Sequence, residues 1–118
     1  MIDTSDLNIE TEERDNALLV TAQGDIDLCT TASLRETLEK LCADRTEPVN
    51  LIVDIREVTF IDSAGLALLV EVRKRFMDKC RLALVIAKGS QPERVLRLGR
   101  FDTFLRICYT LEEASAAA

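Results

Sequence analysis

The sequence predicts an α/β fold, with a mostly parallel β-sheet opened by a β-hairpin and helices mainly on one face. Three observations carry that prediction. Short aliphatic runs (ALLVTAQ, NLIVDI, RLALVIA) alternate with stretches whose apolar residues keep a helical spacing, the pattern of strands joined by crossover helices. The first two strand-like segments are separated only by Glu13-Arg14-Asp15-Asn16, which is turn chemistry and too short for a helix. The early strands also keep polar residues on one side (Asn8, Glu10, Glu12; Thr21, Gln23), so helices are expected over the other face at that edge.

Each element follows from local pattern. Leu7, Ile9 and Thr11 alternate with Asn8, Glu10 and Glu12 as a half-exposed strand, and residues 17–23 form its hairpin partner. Gly24-Asp25-Ile26-Asp27 ends that strand in a loop. Thr30 or Thr31 caps a helix whose apolar face is Leu34, Leu38, Leu41 and Cys42, with Glu36 and Lys40 paired on its wet side. After a polar loop over 44–48, Leu51-Ile52-Val53 reads as a central strand buried on both faces. From Gly65 to Asp78 a helix is expected with Leu66, Leu69, Val70, Phe76 and Met77 on its apolar side, mostly as core, and with Leu66, Leu69 and Val70 partly at the surface next to Ser63. Its solvated stripe carries the pairs Glu71–Arg75 and Lys74–Asp78. Residues 81–87 are another aliphatic strand. Ser90-Gln91-Pro92-Glu93 has capping-box spacing with proline in the first turn, and Gly99 closes that helix. Residues 104–108 make the last strand. Thr110-Leu111-Glu112-Glu113 opens a terminal helix that frays into alanines. The order is β-β-α-β-α-β-α-β-α, with right-handed crossovers after the hairpin, in one domain over 1–118.

Composition narrows the function. The 118 residues are enough to bury a core unaided, and with no Trp, one Tyr and four Phe that core is aliphatic. A net charge of −6 argues against nucleic-acid binding and suits a partner with a basic docking surface. No apolar run approaches the roughly 20 residues of a membrane helix. The acidic opening MIDTSDLNIE lacks a secretory segment, so the expected location is the cytoplasm. Cys29, Cys42, Cys80 and Cys108 form no CxxC pair, and no histidine is present. Neither a metal site nor a cofactor is expected. Buried free thiols are the favoured reading of the cysteines, with a redox-regulated disulfide as the alternative. The missing histidine also removes the commonest general base, and Lys88-Gly89-Ser90 is too short to stand in for a phosphate-binding GxxxxGK[ST] loop. A catalyst is therefore not expected.

In open α/β sheets, functional groups collect where strand ends lead into helix N-termini. Two loops have that character here, and both carry carboxylates and hydroxyls: Asp25, Asp27 and Thr30 in the first, Asp62 and Ser63 in the second. In FIDSAGLALL the Asp-Ser break separates an apolar strand from a helix-like pattern, so Asp62 or Ser63 serves as an N-cap on local chemistry alone. Asp54, inside LIVDI, reads as a strand-end residue bonded to nearby backbone.

The run VTFIDSAGLALLVEVRKRF, with GDIDLCT upstream and TLEEA near the end, resembles a STAS domain, and within that family the bacterial anti-sigma factor antagonists. The resemblance extends over essentially the whole chain. It implies a phosphorylation-controlled partner switch. The unphosphorylated protein binds an anti-sigma factor that is also a serine kinase, and phosphorylation ends that binding. A metal-dependent serine phosphatase then restores the competent form. By position it makes Ser63 the phosphate acceptor. The partner-binding residues become Asp25, Asp27, Thr30, Asp62, Ser63, Ala64, Gly65 and Leu66. Ala64 departs from the Ser or Thr many members carry, leaving Ser63 as the local acceptor. STAS modules also serve membrane transporters and lipid-transport complexes, often without a serine at this place, so Ser63 favours the signalling branch. The free protein is expected to be a monomer with no direct contact to nucleic acid or membrane.

Overall fold

The computed structural model describes residues 7–14 and 16–116. Two strands, β1 (Leu7–Arg14) and β2 (Ala17–Ile26), lead into α1 (Thr31–Ala43). Then come β3 (Val49–Ile61), α2 (Ser63–Phe76), β4 (Cys80–Val85), α3 (Gln91–Leu98), a 3₁₀ turn over Phe101–Thr103, β5 (Arg106–Cys108) and α4 (Leu111–Ser115). The strands form one sheet in chain order, with β1 antiparallel to β2 and every later pairing parallel. Element order and topology are those expected.

Alternation along the strands divides the apolar side chains between two layers. Leu18, Val20 and Ala22 of β2, Leu51, Val53 and Ile55 of β3, and Leu82 and Leu84 of β4 point to one face. There they meet Leu34 and Leu38 of α1, Leu68, Leu69, Val72 and Phe76 of α2, and Leu96 of α3. A smaller cluster of Leu19, Ile52, Ala83, Val85 and Cys108 lies on the other face beneath Ala114 of α4. Three helices thus cover one face and the short α4 the other, over β3–β5. No helix among the described residues is long and apolar enough to cross a membrane.

Several boundaries differ from the sequence reading, each for a local reason. Pairing between Arg14 and Ala17 carries the hairpin ladder through Glu13 and Arg14, which were expected in the turn. Likewise β2 does not stop at Gln23. Gly24, at φ 119°, allows the chain to continue to Ile26 beside an irregular β3. The β2–β3 register slips twice, each time with an extra residue on β3. At the first slip Asp54 turns its carboxylate onto the Arg56 N–H (3.1 Å) and guanidinium (2.8 Å), so it is bonded to nearby backbone within the strand rather than at its end. The two slips bring Ile26 opposite Ile61 at the last rung of the ladder.

Ion pairing on the helices also departs from expectation. Glu36 and Lys40 form no salt bridge, nor do Lys74 and Asp78, whereas Arg35 bridges to Glu71 and Arg75 to Glu39. Glu71 and Arg75 lie 4.0 Å apart within α2. The expected solvated stripe of α2 is therefore partly a charged seam to α1. At the C-terminus the Thr110 capping box forms in full. At α3 the Ser90 hydroxyl accepts from the Glu93 N–H, but the Glu93 carboxylate reaches past the cap to the Gly89 N–H at 2.7 Å. The last strand starts at Arg106 rather than 104, because Phe101–Thr103 turns once more as 3₁₀ helix. Of the expected terminal fraying, residues 117 and 118 lie outside the described residues, as does most of the acidic opening segment.

Candidate functional site

Because β2 and β3 are parallel neighbours, the loops that follow them emerge side by side, and Asp62 joins them. As N-cap of α2 it accepts the Gly65 N–H on Oδ1 at 3.0 Å. Its Oδ2 accepts the Leu28 N–H of the other loop at 3.1 Å, and its own N–H donates to the Ile26 carbonyl at 3.1 Å. The first loop is closed by a second acid. Asp27 Oδ1 accepts from the Cys29 and Thr30 N–H groups at 2.9 and 3.1 Å. The Thr30 hydroxyl accepts the Asp27 N–H at 2.9 Å and donates to the Asp25 carbonyl at 2.9 Å. Asp25 lies within β2 and accepts the Thr59 hydroxyl at 2.6 Å.

The start of α2 is seated on the sheet at Gly65. A Cβ placed there would come within 2.7 Å of Ile26 Cγ2 and of Ile61 Cγ1, and 3.0 Å from the Ile26 carbonyl oxygen. Only a residue without a side chain allows this approach. From the opposite side Gln91 holds β3's last residue: its Oε1 accepts the Ile61 N–H and its Nε2 donates to the Ile61 carbonyl, both at 2.9 Å.

Ser63 is the first residue of α2 and is exposed. Among the described residues its hydroxyl makes no hydrogen bond. Asp62 supplies the cap, so Ser63 is not the capping residue. With Gly65 N–H taken by Asp62, the Ser63 and Ala64 N–H groups are the free donors of the first turn. No acidic side chain occupies that turn, and Arg73, Lys74 and Arg75 stand at the far end, so the positive pole of the helix opens beside the Ser63 hydroxyl.

A mostly apolar groove of about 630 Å³ begins at Ser63 and runs along α2. Leu66, Ala67, Val70 and Phe101 form its floor, and Glu71, Lys74 and Arg75 its far end. The face α2 gives to the core is Gly65, Leu68, Leu69, Val72 and Phe76. Leu66 and Val70 are thus half-buried, partly at the surface beside Ser63 as the sequence allows, whereas Leu69 is wholly core and Met77, expected on the apolar side, is exposed.

The sequence-predicted residues separate into three groups. Ser63 is exposed and Ala64 and Leu66 are half-buried along the surface of α2, whereas Thr30 and Gly65 are buried and build the loops from within. Asp25, Asp27 and Asp62 are half-buried and spend carboxylate oxygens on local bonds. Sequence reasoning missed three residues. Leu28 is 76% exposed beside Asp62, Phe101 forms part of the groove floor, and Gln91 braces Ile61. Only Leu28 had a signal, being a large apolar residue inside a polar loop. Of the cysteines, Cys42, Cys80 and Cys108 are buried, Cys29 is exposed, and all four are free.

Comparison with known proteins gives one family match and three similar proteins. The family model of the STAS domain matches residues 8–114. The anti-sigma-F factor antagonist RsfB of Mycobacterium tuberculosis is 28% identical over 108 residues, which is 92% of this chain and 86% of that one. Among solved structures, an anti-sigma factor antagonist from Mycobacterium paratuberculosis superposes with a TM-score of 0.84 at 23% identity, over 97% of this chain and 95% of the other. The Bacillus cell fate determinant SpoIIAA, solved in its phosphorylated form, gives 0.62 at 16% identity over 91% and 96%.

Proposed function

This chain belongs to the STAS-domain family, and from that premise we propose that it is an anti-sigma factor antagonist, a non-enzymatic regulator working as a single domain over 1–118 in a phosphorylation-controlled partner switch. In this reading the unphosphorylated protein binds an anti-sigma factor that is also a serine kinase and so releases a sigma factor. Phosphorylation of Ser63 ends the binding, and a serine phosphatase reverses it. The observation that carries the reading is the position of Ser63: exposed, without a hydrogen-bond partner among the described residues, and at the mouth of the groove along α2.

The electrostatics favour a switch that acts on the surface and spares the fold. A phosphate brings about −1.5 to −2 charge at neutral pH. At the first residue of α2 it meets the free Ser63 and Ala64 N–H groups and the positive helix end. Asp62 and Asp27 stand in the same pair of loops, so the new charge adds to an acidic rim and opposes any acidic group of a docked partner. Leu28 and the groove supply the apolar area that the partner covers. The partner-binding set is then Asp62, Ser63, Ala64 and Leu66 on the α2 side and Asp25, Asp27 and Leu28 on the other, with Thr30 and Gly65 supporting from inside.

The test is recovery of partners from host lysate by wild type, Ser63→Ala and Ser63→Glu, identified by mass spectrometry and followed by incubation of the recovered kinase with ATP. Wild type and Ser63→Ala should both retain an ATPase-type kinase, Ser63→Glu should not, and only wild type should take up phosphate, at Ser63. Equal recovery of transporter subunits by all three forms would replace the switch with a transport-module role.

A further inference from the structure

The last edge of the sheet is stepped. On one side β4 pairs with β3 from Cys80 to Val85, but on the other it meets β5 only at Ala83, Leu84 and Val85. Beside Cys80, Arg81 and Leu82 no residue of β5 stands, and a cleft of about 270 Å³ opens there. Cys80 and Leu82, both buried, form its floor. Arg73 and Met77 wall it from the end of α2, Arg81 from β4, and Phe104 and Arg106 from the start of β5. Met77 and Phe104 are exposed, and Phe104 packs on Phe101 with ring centroids 5.7 Å apart.

Charge sets this cleft apart. Arginines line it and no carboxylate does, in a chain of net charge −6. Among the described residues Arg73, Arg81 and Arg106 take part in no salt bridge, whereas Arg35, Arg56, Arg75 and Arg97 are each bridged to an acid. Arg81 donates from Nε to the Asn50 side-chain oxygen at 3.0 Å, and Arg106 donates to the main-chain carbonyls of residues 113, 114 and 116. These bonds orient the two guanidiniums and leave their charge without a carboxylate. Strand alternation then sorts the walls. Arg106 stands opposite Ala83 on the α4 side of the sheet, and Arg81 is on that side too, while Cys80 and Leu82 face the layer of α2.

We propose that this cleft receives an extended segment of a partner protein with the pattern acidic–apolar–acidic, lying alongside β4 in the place that β5 leaves empty. The apolar side chain covers the floor between Met77 and Phe104, and the flanking carboxylates, pointing to the opposite side, meet Arg81 and Arg106. Arg73 adds positive charge at the other wall. Exposed arginine, methionine and phenylalanine around one cleft is the composition of a protein interface, and the charge selects an acidic occupant. The proposal does not rest on the role assigned to Ser63. Arg73 lies about 15 Å along α2 from that residue by helical rise, so the contact is open whether or not Ser63 carries a phosphate.

The experiment titrates the isotope-labelled full chain with the peptide acetyl-Gly-Glu-Leu-Glu-Gly-amide at low salt and follows backbone amide shifts by NMR. The expected shifts fall within residues 73–82 and 104–106 and spare 25–30 and 62–66, in wild type and in Ser63→Glu alike. Replacing both glutamates of the peptide by glutamine, or its leucine by serine, should weaken binding about tenfold or more, as should the double variant Arg73→Gln, Arg81→Gln. Arg94→Gln, which removes an exposed arginine outside the cleft, should bind as wild type does. Should the double variant fail to fold by circular dichroism, Arg81→Gln alone decides. No binding at millimolar peptide, equal binding of the glutamine peptide, or shifts centred on the Ser63 end would overturn the proposal. So would self-association of the free protein that the arginine variants abolish, which would make a second copy the occupant.

Discussion

Gln91 and Ile61 bond one another as adjacent strands do, the side-chain amide of one matched to the main-chain N–H and carbonyl of the other at 2.9 Å each. The first residue of α3 thus substitutes for a missing strand neighbour at the point where β3 ends, one residue before the cap of α2. We expect Gln91→Ala to cost about 1–3 kcal/mol, because Ile61 is buried and two polar groups lose their partner. Urea unfolding measures this. The same variant should speed amide exchange at Ile61 and Asp62 while leaving the β1–β2 hairpin unaffected.

Gly65→Ala is expected to destabilise by about 1–3 kcal/mol through overpacking, since its methyl meets two isoleucine side chains and a backbone carbonyl at once. Helix propensity alone favours alanine there by up to about 1 kcal/mol, so the sign of the measured change decides between seat and helix. A thermal melt of the two proteins side by side is sufficient.

Ala67 is exposed in the groove and takes no part in the core face of α2. Ala67→Glu should leave stability within about 0.5 kcal/mol of wild type. If the groove receives the partner, the same change should weaken binding by about 2 kcal/mol or more, read by titration calorimetry against the purified partner that wild type recovers. Retained affinity would move the docking surface off α2.

Glu93 accepts the Tyr109 hydroxyl at 2.6 Å and the Gly89 N–H at 2.7 Å, and these bonds hold its carboxyl below the usual value of 4.5. A carboxyl lowered on folding contributes stability that is complete above its unfolded pKa and is lost as pH falls through the folded one. The acid limb of the stability profile, below about pH 5, should therefore be shallower in Glu93→Gln. Melting temperature against pH for the two proteins checks it.

The fold was legible because its signals are local. Alternation in β1, the unbroken apolar run of β3 and the Thr110 capping box each depend on residues a few positions apart. The α2 face was only partly legible because LALLVEV is apolar at nearly every position, so periodicity hardly separates Leu68 and Val72, which the core takes, from Leu66 and Val70, which line the groove as well. The Arg35–Glu71 and Arg75–Glu39 bridges were out of reach for another reason. They depend on the register of α1 against α2, which spacing within either helix does not contain. At the site, the Asp-Ser break marked the cap of α2, whereas Gln91 and Phe101 arrive from elements that only the folded chain brings near.

The close seat of Gly65 on Ile26 and Ile61 bears on timing. The first turn of α2 is packed directly onto the end of the sheet, so a group added at Ser63 would meet a turn already held in place by its own backbone contact. If Ser63 is the proposed switch, the speed of its response is then set by the enzymes that add and remove the phosphate and by how fast the partner departs.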